Sequence, residues 1–421
     1  MRILVLVTDA FGGFGGIAKF NRDLLTALCA AQDVEEVVAV PRLMPEPPGA
    51  LPTKLNYVTS GVGSKLRYIK TVLTTVLRLP TPDLLICGHI NLLSVALAAR
   101  LFCRAPVALV IHGIDAWQPT RSWLVNRLVR RINALIAVSE FTKQRFLGWA
   151  RLDGVRTFIL PNCIELAAFR PGPKNSQLLD RYCLRDRTVL LTVARLSAQE
   201  RYKGVDRVME VLPDLSKEIP SLCYLVVGDG TDRERLMNKA QSLGLSVTDC
   251  ARANSSPSPH RSGRGLGEVS KPHSPTLHAP RSTLNPAQVV FAGRIPEDEK
   301  VDHYRMADAF VMPGWGEGFG IVYLEAMACG IPVVASKADA SCEVVGGGKL
   351  GFIVDPRNPA EIREGILAAL KWPRGFVSAS LNDFSFESFQ TRVHEIVERL
   401  VPRLEALSPP KAAAASSIQQ N

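Results

Sequence analysis

Short apolar runs alternate with segments of helical periodicity along most of the chain. The runs are apolar throughout instead of alternating with polar residues, which is typical of strands buried on both faces. Strands separated by helices predict a parallel sheet that is covered by helices on both sides. A polar, proline-containing stretch at 169–174 interrupts the pattern, which then starts again. We therefore predict an α/β fold of two Rossmann-like, doubly wound domains that face a central cleft, with ligand at the carboxyl ends of the strands.

The alternation assigns residues 1–168 to an N-terminal domain and residues 169–380 to a C-terminal domain. The predicted strands span 2–8, 37–40, 55–58, 83–87, 107–111, 134–138 and 157–160, then 188–193, 222–228, 288–293, 308–312, 331–335 and 351–354. The predicted helices span 17–31, 66–78, 91–103, 121–132 and 140–149, then 204–219, 231–243, 298–306, 321–329 and 359–371.

Residues 246–287 interrupt the second domain with a segment of different composition. It contains eight serines and six prolines but few large apolar residues. Such a segment cannot bury enough apolar surface to order itself, so we predict a disordered surface insertion. Its three histidines do not lead us to predict a metal site. The segment 408–421, rich in alanine, serine and glutamine, is predicted to be a disordered tail.

The spacing of the cysteines and the distribution of charge predict the compartment of the protein and the class of its binding partner. The nine cysteines are never spaced as C-x-x-C, which favours a reducing cytoplasm without structural zinc. No apolar run is long enough to predict a membrane span. Residues 1–170 carry 20 Lys and Arg against 11 Asp and Glu, so they hold +9 of the net +10. Because no nucleic-acid motif accompanies this charge, we expect an anionic membrane face or a phosphorylated acceptor as partner, and no nucleic acid.

The segment 64–78 concentrates this charge, placing four cations among apolar residues at helical spacing. A basic amphipathic helix can lie in the interface of an anionic bilayer. It can equally be a packed helix with a solvated basic edge. The sequence leaves both interpretations open, and the first predicts a protein that is peripheral on the inner face of the cytoplasmic membrane.

Two carboxylates, Glu317 and Glu325, stand eight residues apart in the stretch 313–335. Glu317 lies on a glycine-containing loop and Glu325 lies inside the helix that follows. The backbone N–H groups of 319–321 (Phe319, Gly320 and Ile321) come at the positive end of that helix, which favours phosphate. Carboxylates nearby can accept hydrogen bonds from sugar hydroxyls. The stretch therefore suits a sugar joined to a diphosphate, although a buried helix with a capping acid would have a similar sequence.

This stretch resembles the E-x7-E motif of retaining glycosyltransferases, specifically glycosyltransferase family 4 with its two-domain GT-B fold. The resemblance extends over residues 2–245 and 288–400. It implies that Glu317 orients the donor sugar and that Glu325 holds the ribose. It also implies that a helix within 381–407 returns to the N-terminal domain.

The glycine loop Gly12–Gly16 follows the first strand, and the spacing from Gly13 to Ala18 satisfies the dinucleotide fingerprint G-x-G-x-x-A. That fingerprint requires an acid at the end of the second strand, whereas Glu35 and Glu36 precede that strand here. A nicotinamide-dependent dehydrogenase is therefore the less favoured interpretation. The resemblance implies instead that Gly15 and Gly16 let the backbone approach the donor diphosphate and sugar.

Six further residues match the family, most of them at the ends of predicted strands. The resemblance implies that His112 contacts the donor sugar and that Arg195 and Lys203 neutralise the leaving diphosphate. Gly228 is implied to lie at the donor, although its sequence context is also that of an ordinary turn. Arg294 and Ile295 are implied to lie against the nucleobase.

Taken together, the motifs predict a retaining glycosyltransferase that transfers a hexose from a nucleoside-diphosphate sugar to a hydroxyl of a glycan or lipid-linked acceptor, in cell-surface polysaccharide assembly. The chain has no Asp-x-Asp pair, so neither a metal nor another cofactor is expected. The alternative enzyme with the same cleft is a GT-B-like sugar-nucleotide epimerase.

Overall fold

The computed structural model describes residues 1–250 and 287–401, which form two seven-stranded sheets with helices on both faces. Every pair of neighbouring strands in either sheet is parallel, as the continuous apolar runs predict. The predicted α/β fold of two doubly wound domains is confirmed.

The first sheet has the strand order β3-β2-β1-β4-β5-β6-β7. Its central strand β1 is buried, with Ile3 in register between Val37 and Leu84. The strands are β1 (Arg2–Val7), β2 (Glu36–Pro41), β3 (Leu55–Tyr57), β4 (Leu84–Cys87), β5 (Val107–Ile111), β6 (Ala134–Ala137) and β7 (Arg156–Ile159).

The helices of the first domain divide between the two faces of this sheet. Helix α1 packs on one face, and α2 to α5 contribute to a separate hydrophobic core on the other. They are α1 (Gly16–Ala30), α2 (Lys65–Arg78), α3 (Leu93–Cys103), α4 (Trp123–Leu128) and α5 (Glu140–Ala150).

The second sheet has the strand order β10-β11-β9-β8-β12-β13-β14. Its strands are β8 (Thr188–Val193), β9 (Leu222–Val227), β10 (Ser246–Asp249), β11 (Gln288–Gly293), β12 (Ala309–Val311), β13 (Val333–Ser336) and β14 (Phe352–Val354). The α-helices of this half are α6 (Ser176–Arg181), α7 (Val205–Glu218), α8 (Arg233–Ser242), α9 (Lys300–Met306), α10 (Ile321–Ala328), α11 (Ser341–Val344) and α12 (Pro359–Lys371).

The C-terminal helix α13 (Phe386–Leu400) leaves the second domain and packs on α1. Phe389 meets Phe20 edge to face, with ring centroids 5.7 Å apart. The His394 Nε2 atom lies 3.1 Å from the Ala27 carbonyl oxygen. The buried apolar face of this helix therefore packs against the first domain, as expected from the family resemblance.

The prediction of an insertion beginning at residue 246 is wrong at its start. Residues 246–249 form β10, which adds a parallel edge strand beside β11, with Val247 in register with Val289. An edge strand makes backbone hydrogen bonds on one side only and tolerates polar residues. The Ser, Thr and Asp residues of β10 therefore led to its prediction as loop. The remainder of the predicted insertion, 251–286, and the predicted tail at 408–421 lie outside the described residues.

Replacement of residues 251–286 by a short Gly/Ser linker is expected to leave the melting temperature nearly unchanged, because loop-closure entropy varies slowly with loop length. Extending the same deletion back to residue 246 removes β10 and its pairing with β11, and should lower the melting temperature clearly. Differential scanning calorimetry on both variants measures the contrast. A large drop with the shorter deletion would contradict the composition argument.

Within the described residues, no helix has the length and apolar character needed to cross a membrane. All nine cysteines carry free thiols, most of them buried.

Candidate active site

The predicted site residues lie on loops at the carboxyl ends of strands in both sheets. The glycine loop follows β1, His112 follows β5, Arg195 follows β8 and Gly228 follows β9. The loop with Glu317 runs from β12 to α10. The two sets of strand ends face each other across the cleft, where direct contacts join the domains.

Lys203 is the centre of a charged cluster in this cleft. Its side chain is 17% exposed, and its Nζ bonds to an oxygen of Glu317, which is 13% exposed. A second carboxylate, that of Glu200, lies 3.8 Å from the same nitrogen and 3.1 Å from Arg195 Nη1. Burial acts to lower the pKa of Lys203, but attraction to Glu317, Tyr202 and Glu200 and the hydrogen bond to Glu317 together outweigh it, so the pKa lies above its usual value. The predicted catalytic residues Lys203, Arg195 and Glu317 are therefore brought together.

The backbone of Glu317 is fixed by the segment that follows β13. Its N–H donates to Asp339 Oδ2 at 3.0 Å, and its carbonyl accepts from the Ala340 N–H at 3.1 Å. The other Asp339 oxygen accepts from the Ser341 hydroxyl at 2.6 Å. Burial raises the pKa of Asp339 to about 6. Asp339 has no motif signal in the sequence, and the structure identifies it as the support of Glu317.

His112 lies on the opposite side of the cleft as a neutral imidazole. Burial, and next the neighbouring His89, lower its pKa to about 3. Its Nε2 is 2.8 Å from the Gly88 carbonyl oxygen, and since a carbonyl can only accept, Nε2 carries the proton. Nδ1 is then the acceptor nitrogen, which suits a sugar hydroxyl as donor.

His112 and the Glu317 loop meet directly through backbone. A Cβ placed on Gly318 would lie 1.9 Å from the His112 carbonyl oxygen and 2.5 Å from the Gly113 Cα. Such an approach admits no side chain at this position. The glycine after Glu317 thus lets the Glu317 loop of one domain touch the strand end of the other.

The glycine loop also reaches across the cleft. Arg195 Nη2 is 3.0 Å from the position that a Cβ on Gly15 would take, and the Arg294 guanidinium stacks over the Phe14 ring at 4.3 Å. Gly16, by contrast, begins α1 with open space around it. Ile295 is partly buried against the core.

Gly228 is confined by its own domain. A Cβ there would lie 1.8 Å from the Ala194 carbonyl oxygen, and the Gly228 N–H donates to the Gly293 carbonyl at 2.9 Å. The turn after β9 is therefore packed against the residue preceding Arg195. Packing within the second domain is therefore enough to explain why glycine is needed at position 228, without a ligand.

Glu325 is separated from the Glu317 cluster and is only 1% exposed. Its Oε1 accepts from Lys300 Nζ at 2.7 Å, and its Oε2 accepts from the Tyr304 hydroxyl at 2.6 Å. A ribose hydroxyl would have to share one of these oxygens or displace its partner. Phe319 is 6% exposed and belongs to the hydrophobic core. Gly320 and Ile321 begin α10.

Sequence reasoning missed a polar group on the first-domain wall of the cleft. Asp9, directly after β1, lies beside Gly13. Burial raises its pKa, against attraction to Arg22 and Arg195. His89, directly after β4, has its Nε2 3.3 Å from Asp115 Oδ2, and burial raises the pKa of Asp115 as well. The signal that could have found Asp9 and His89 is their place at the ends of β1 and β4.

No cluster of three His, Cys, Asp or Glu side chains arranged to hold a metal ion occurs in residues 1–250 and 287–401.

Two family profiles match the chain and together span more than half of it. Residues 14–168 match "Glycosyltransferase Family 4", and residues 273–379 match "Glycosyl transferases group 1". The first match falls in the first domain and the second contains the Glu317 loop.

Similar proteins include two from Mycolicibacterium smegmatis. A GDP-mannose-dependent alpha-(1-6)-phosphatidylinositol monomannoside mannosyltransferase is 29% identical over 325 residues, covering 74% of this chain and 73% of that protein. A phosphatidyl-myo-inositol mannosyltransferase is 27% identical over 292 residues, covering 68% of this chain and 61% of that protein.

Solved structures share the whole architecture at lower identity. HepE of Anabaena, in complex with UDP and glucose, superposes with a TM-score of 0.65 at 20% identity, covering 94% of this chain and 99% of that one. Sucrose-phosphate synthase from Thermosynechococcus elongatus gives a TM-score of 0.68 at 19% identity, covering 95% and 98%. The resemblance drawn from the sequence is confirmed, and the dehydrogenase and epimerase alternatives lose their support. The chain belongs to glycosyltransferase family 4 and is a glycosyltransferase of group 1 with the GT-B fold.

Proposed function

We propose that this enzyme transfers a hexose from a nucleoside-diphosphate sugar, with retention at the anomeric carbon, to a hydroxyl of a glycan or lipid-linked acceptor in cell-surface polysaccharide assembly. The observation that carries the proposal is the cluster of Lys203, Arg195 and Glu317 at facing strand ends. The names of the mycobacterial relatives support a lipid-linked acceptor, and the UDP complex of HepE supports a nucleotide donor.

The reaction we propose is a front-face displacement, in which the departing phosphate helps to deprotonate the acceptor hydroxyl. Arg195 and Lys203 stabilise the negative charge that develops on the leaving diphosphate. Glu317 and the Nδ1 atom of neutral His112 orient the sugar through its hydroxyls. Because the two cations would supply the neutralising charge, we propose that the reaction needs no divalent metal.

A panel of nucleotide sugars that includes GDP-mannose and UDP-glucose tests this function. The true donor should raise the melting temperature and be consumed in the presence of acceptor, and NMR of the product should show the anomeric configuration of the donor. Activity should persist in EDTA. An inverted product, or activity lost in EDTA and restored by Mg²⁺, would contradict the corresponding part. Conversion of the donor sugar to its epimer without acceptor would instead indicate an epimerase.

We further propose that the first domain docks on an anionic membrane face at the cytoplasmic side, with residues 64–78 at the contact. Helix α2 presents two large exposed leucines, Leu66 (80% exposed) and Leu77 (64%), beside its basic residues. Helices α3 and α4 continue the same layer and expose Phe102 and Trp123. Segments 64–78, 93–104 and 121–131 contain no acid, and their cations are Lys65, Arg67, Lys70, Arg78, Arg100, Arg104, Arg121, Arg127, Arg130 and Arg131.

Exposed apolar side chains surrounded by cations suit the interface of an anionic bilayer, where each cation contributes about 1 kcal/mol. Reversal of Lys65, Arg67, Lys70 and Arg78 to Glu is expected to abolish co-sedimentation with phosphatidylglycerol vesicles while donor hydrolysis persists. High salt should weaken binding of the unmodified protein, because the attraction decays within a Debye length. Failure of the unmodified protein to bind these vesicles at low salt would show that the layer is a solvated face.

A further inference from the structure

Helix α5 of the first domain begins at the cleft, and two hydroxyls of its first turn bond to the catalytic loop. Ser139 Oγ donates to the Gly318 carbonyl oxygen at 2.7 Å, and Thr142 Oγ1 donates to the same oxygen at 3.0 Å. Both hydroxyl-bearing residues are buried. Gly318 directly follows Glu317, so the domain opposite to Glu317 holds the adjacent carbonyl.

Each hydroxyl is fixed in its donating orientation by a second hydrogen bond. Ser139 Oγ caps α5 by accepting the Thr142 N–H at 3.1 Å. Thr142 Oγ1 accepts from the indole Nε1–H of Trp117 at 3.1 Å. Because these lone pairs are engaged by donors, the hydroxyl protons are left to point at Gly318.

A second contact joins the same helix end to the second domain. The Glu343 carboxylate accepts from the backbone N–H of Glu140 at 2.9 Å and also from that of Phe141. These N–H groups belong to the first turn of α5, where they have no partner inside the helix and where the dipole favours an anion. The two sets of polar contacts at the N-terminus of α5 therefore fix the position of the two domains relative to each other.

The consequence lies in how Glu317 is held. Its N–H is bound by Asp339, which belongs to the same domain and stays in place if the cleft opens. The carbonyl of the following residue, Gly318, is bound by the Ser139 and Thr142 hydroxyls of the first domain. These hydroxyls separate from that carbonyl if the cleft opens. Closure thus completes the support on both sides of the Glu317 side chain.

We propose that Ser139 and Thr142 are positioning residues, which place the Glu317 carboxylate for catalysis only when the two domains are closed. The inference rests on the proposed function in that it assigns Glu317 a role at the donor sugar. It explains why the first domain contributes buried hydroxyls to a loop of the second domain.

The test compares Thr142→Val, which keeps the shape and removes the hydroxyl, with Thr142→Ser, which keeps the hydroxyl. Thr142→Val is expected to lower kcat at least 10-fold with a smaller change in donor KM, because positioning acts on the transition state. Thr142→Ser should retain activity close to that of the unmodified enzyme. Asn358→Ala removes the N-cap of α12, whose side-chain oxygen accepts from the Ala360 N–H at 3.1 Å, and should leave kcat unchanged.

A double-mutant cycle with Glu317→Gln decides whether Thr142 acts through Glu317. In the Glu317→Gln background, Thr142→Val is expected to cost little further activity. An equal fold loss in both backgrounds, or an unchanged kcat of Thr142→Val alone, would overturn the proposal. Full activity of Glu317→Gln itself would overturn both this inference and the assigned role of Glu317, so the two failures are distinguishable.

Discussion

Lys203→Ala is expected to lower kcat by about two orders of magnitude or more, the loss typical of removing a preorganised charge that stabilises a transition state. Lys203 is largely buried between the Glu317 and Glu200 carboxylates, so its charge is held in a fixed position. Arg195→Ala should give a loss of the same order, because Arg195 reaches the cleft from the preceding strand end. Steady-state kinetics with the identified donor measure both.

Removal of Lys203 also leaves the largely buried Glu317 carboxylate without its cation, whereas Glu200 keeps Arg195, and this destabilises the fold. The melting temperature must therefore be measured together with kcat. Lys203→Met, which keeps the length of the side chain, should lose activity to the same extent.

Arg201→Ala is the matched control for these substitutions. Arg201 lies in the same short 3-10 helix (Ala198–Lys203) but pairs with Asp232, at 2.7 Å, and is half exposed. Its loss should change kcat less than about 2-fold, because Arg201 points to Asp232 and not to the Lys203 cluster, and Asp232 keeps Arg235 as a cation. A comparable loss in Arg201→Ala would show that the helix as a whole, and not the charge of Lys203, supports turnover.

The sequence was sufficient to predict nearly all of the sheet, because buried parallel strands are continuous apolar runs bounded by glycine and polar residues. The runs at 107–111, 188–193 and 288–293 coincide with β5, β8 and β11 to the residue. Strand β10 was missed because an edge strand needs neither apolar character nor two partners. The helix α6 was missed because it has only six residues and closely follows the polar stretch at 169–174.

The sequence predicted only those residues of the candidate site that belong to local sequence motifs. Lys203 and Glu317, which lie 114 residues apart, were both named from the sequence, and the structure brings them into contact. The hydroxyls of Ser139 and Thr142 carry no comparable signal, because a Ser followed by Thr at the start of a helix is an ordinary N-cap. Their bonds to Gly318 depend on the relative placement of two domains, which periodicity within either domain does not encode.

The two carboxylates of the E-x7-E stretch are expected to fail in different ways when each is replaced by glutamine. Glu317→Gln should lower kcat by about two orders of magnitude, because in the proposed reaction its interaction with the donor sugar would strengthen as the glycosidic bond breaks. Glu325→Gln should chiefly raise the donor KM and Kd, because contacts to a ribose are shared by the ground and transition states. Kinetics and calorimetric titration with the donor separate these effects.

Because Glu325 is buried and ion-paired, its replacement by glutamine is also expected to lower stability. Glutamine can still bond to Tyr304, but it leaves Lys300 with Glu297, 3.3 Å away and exposed, as its remaining carboxylate partner. Loss of a buried ionic partner should lower the melting temperature of Glu325→Gln, whereas Glu364→Gln, on the exposed face of α12, should leave it unchanged. If Glu317→Gln and Glu325→Gln altered only the melting temperature, with kcat and donor affinity intact, the two carboxylates would be structural acids of a buried helix. The role of this stretch in binding the donor would then have to be abandoned.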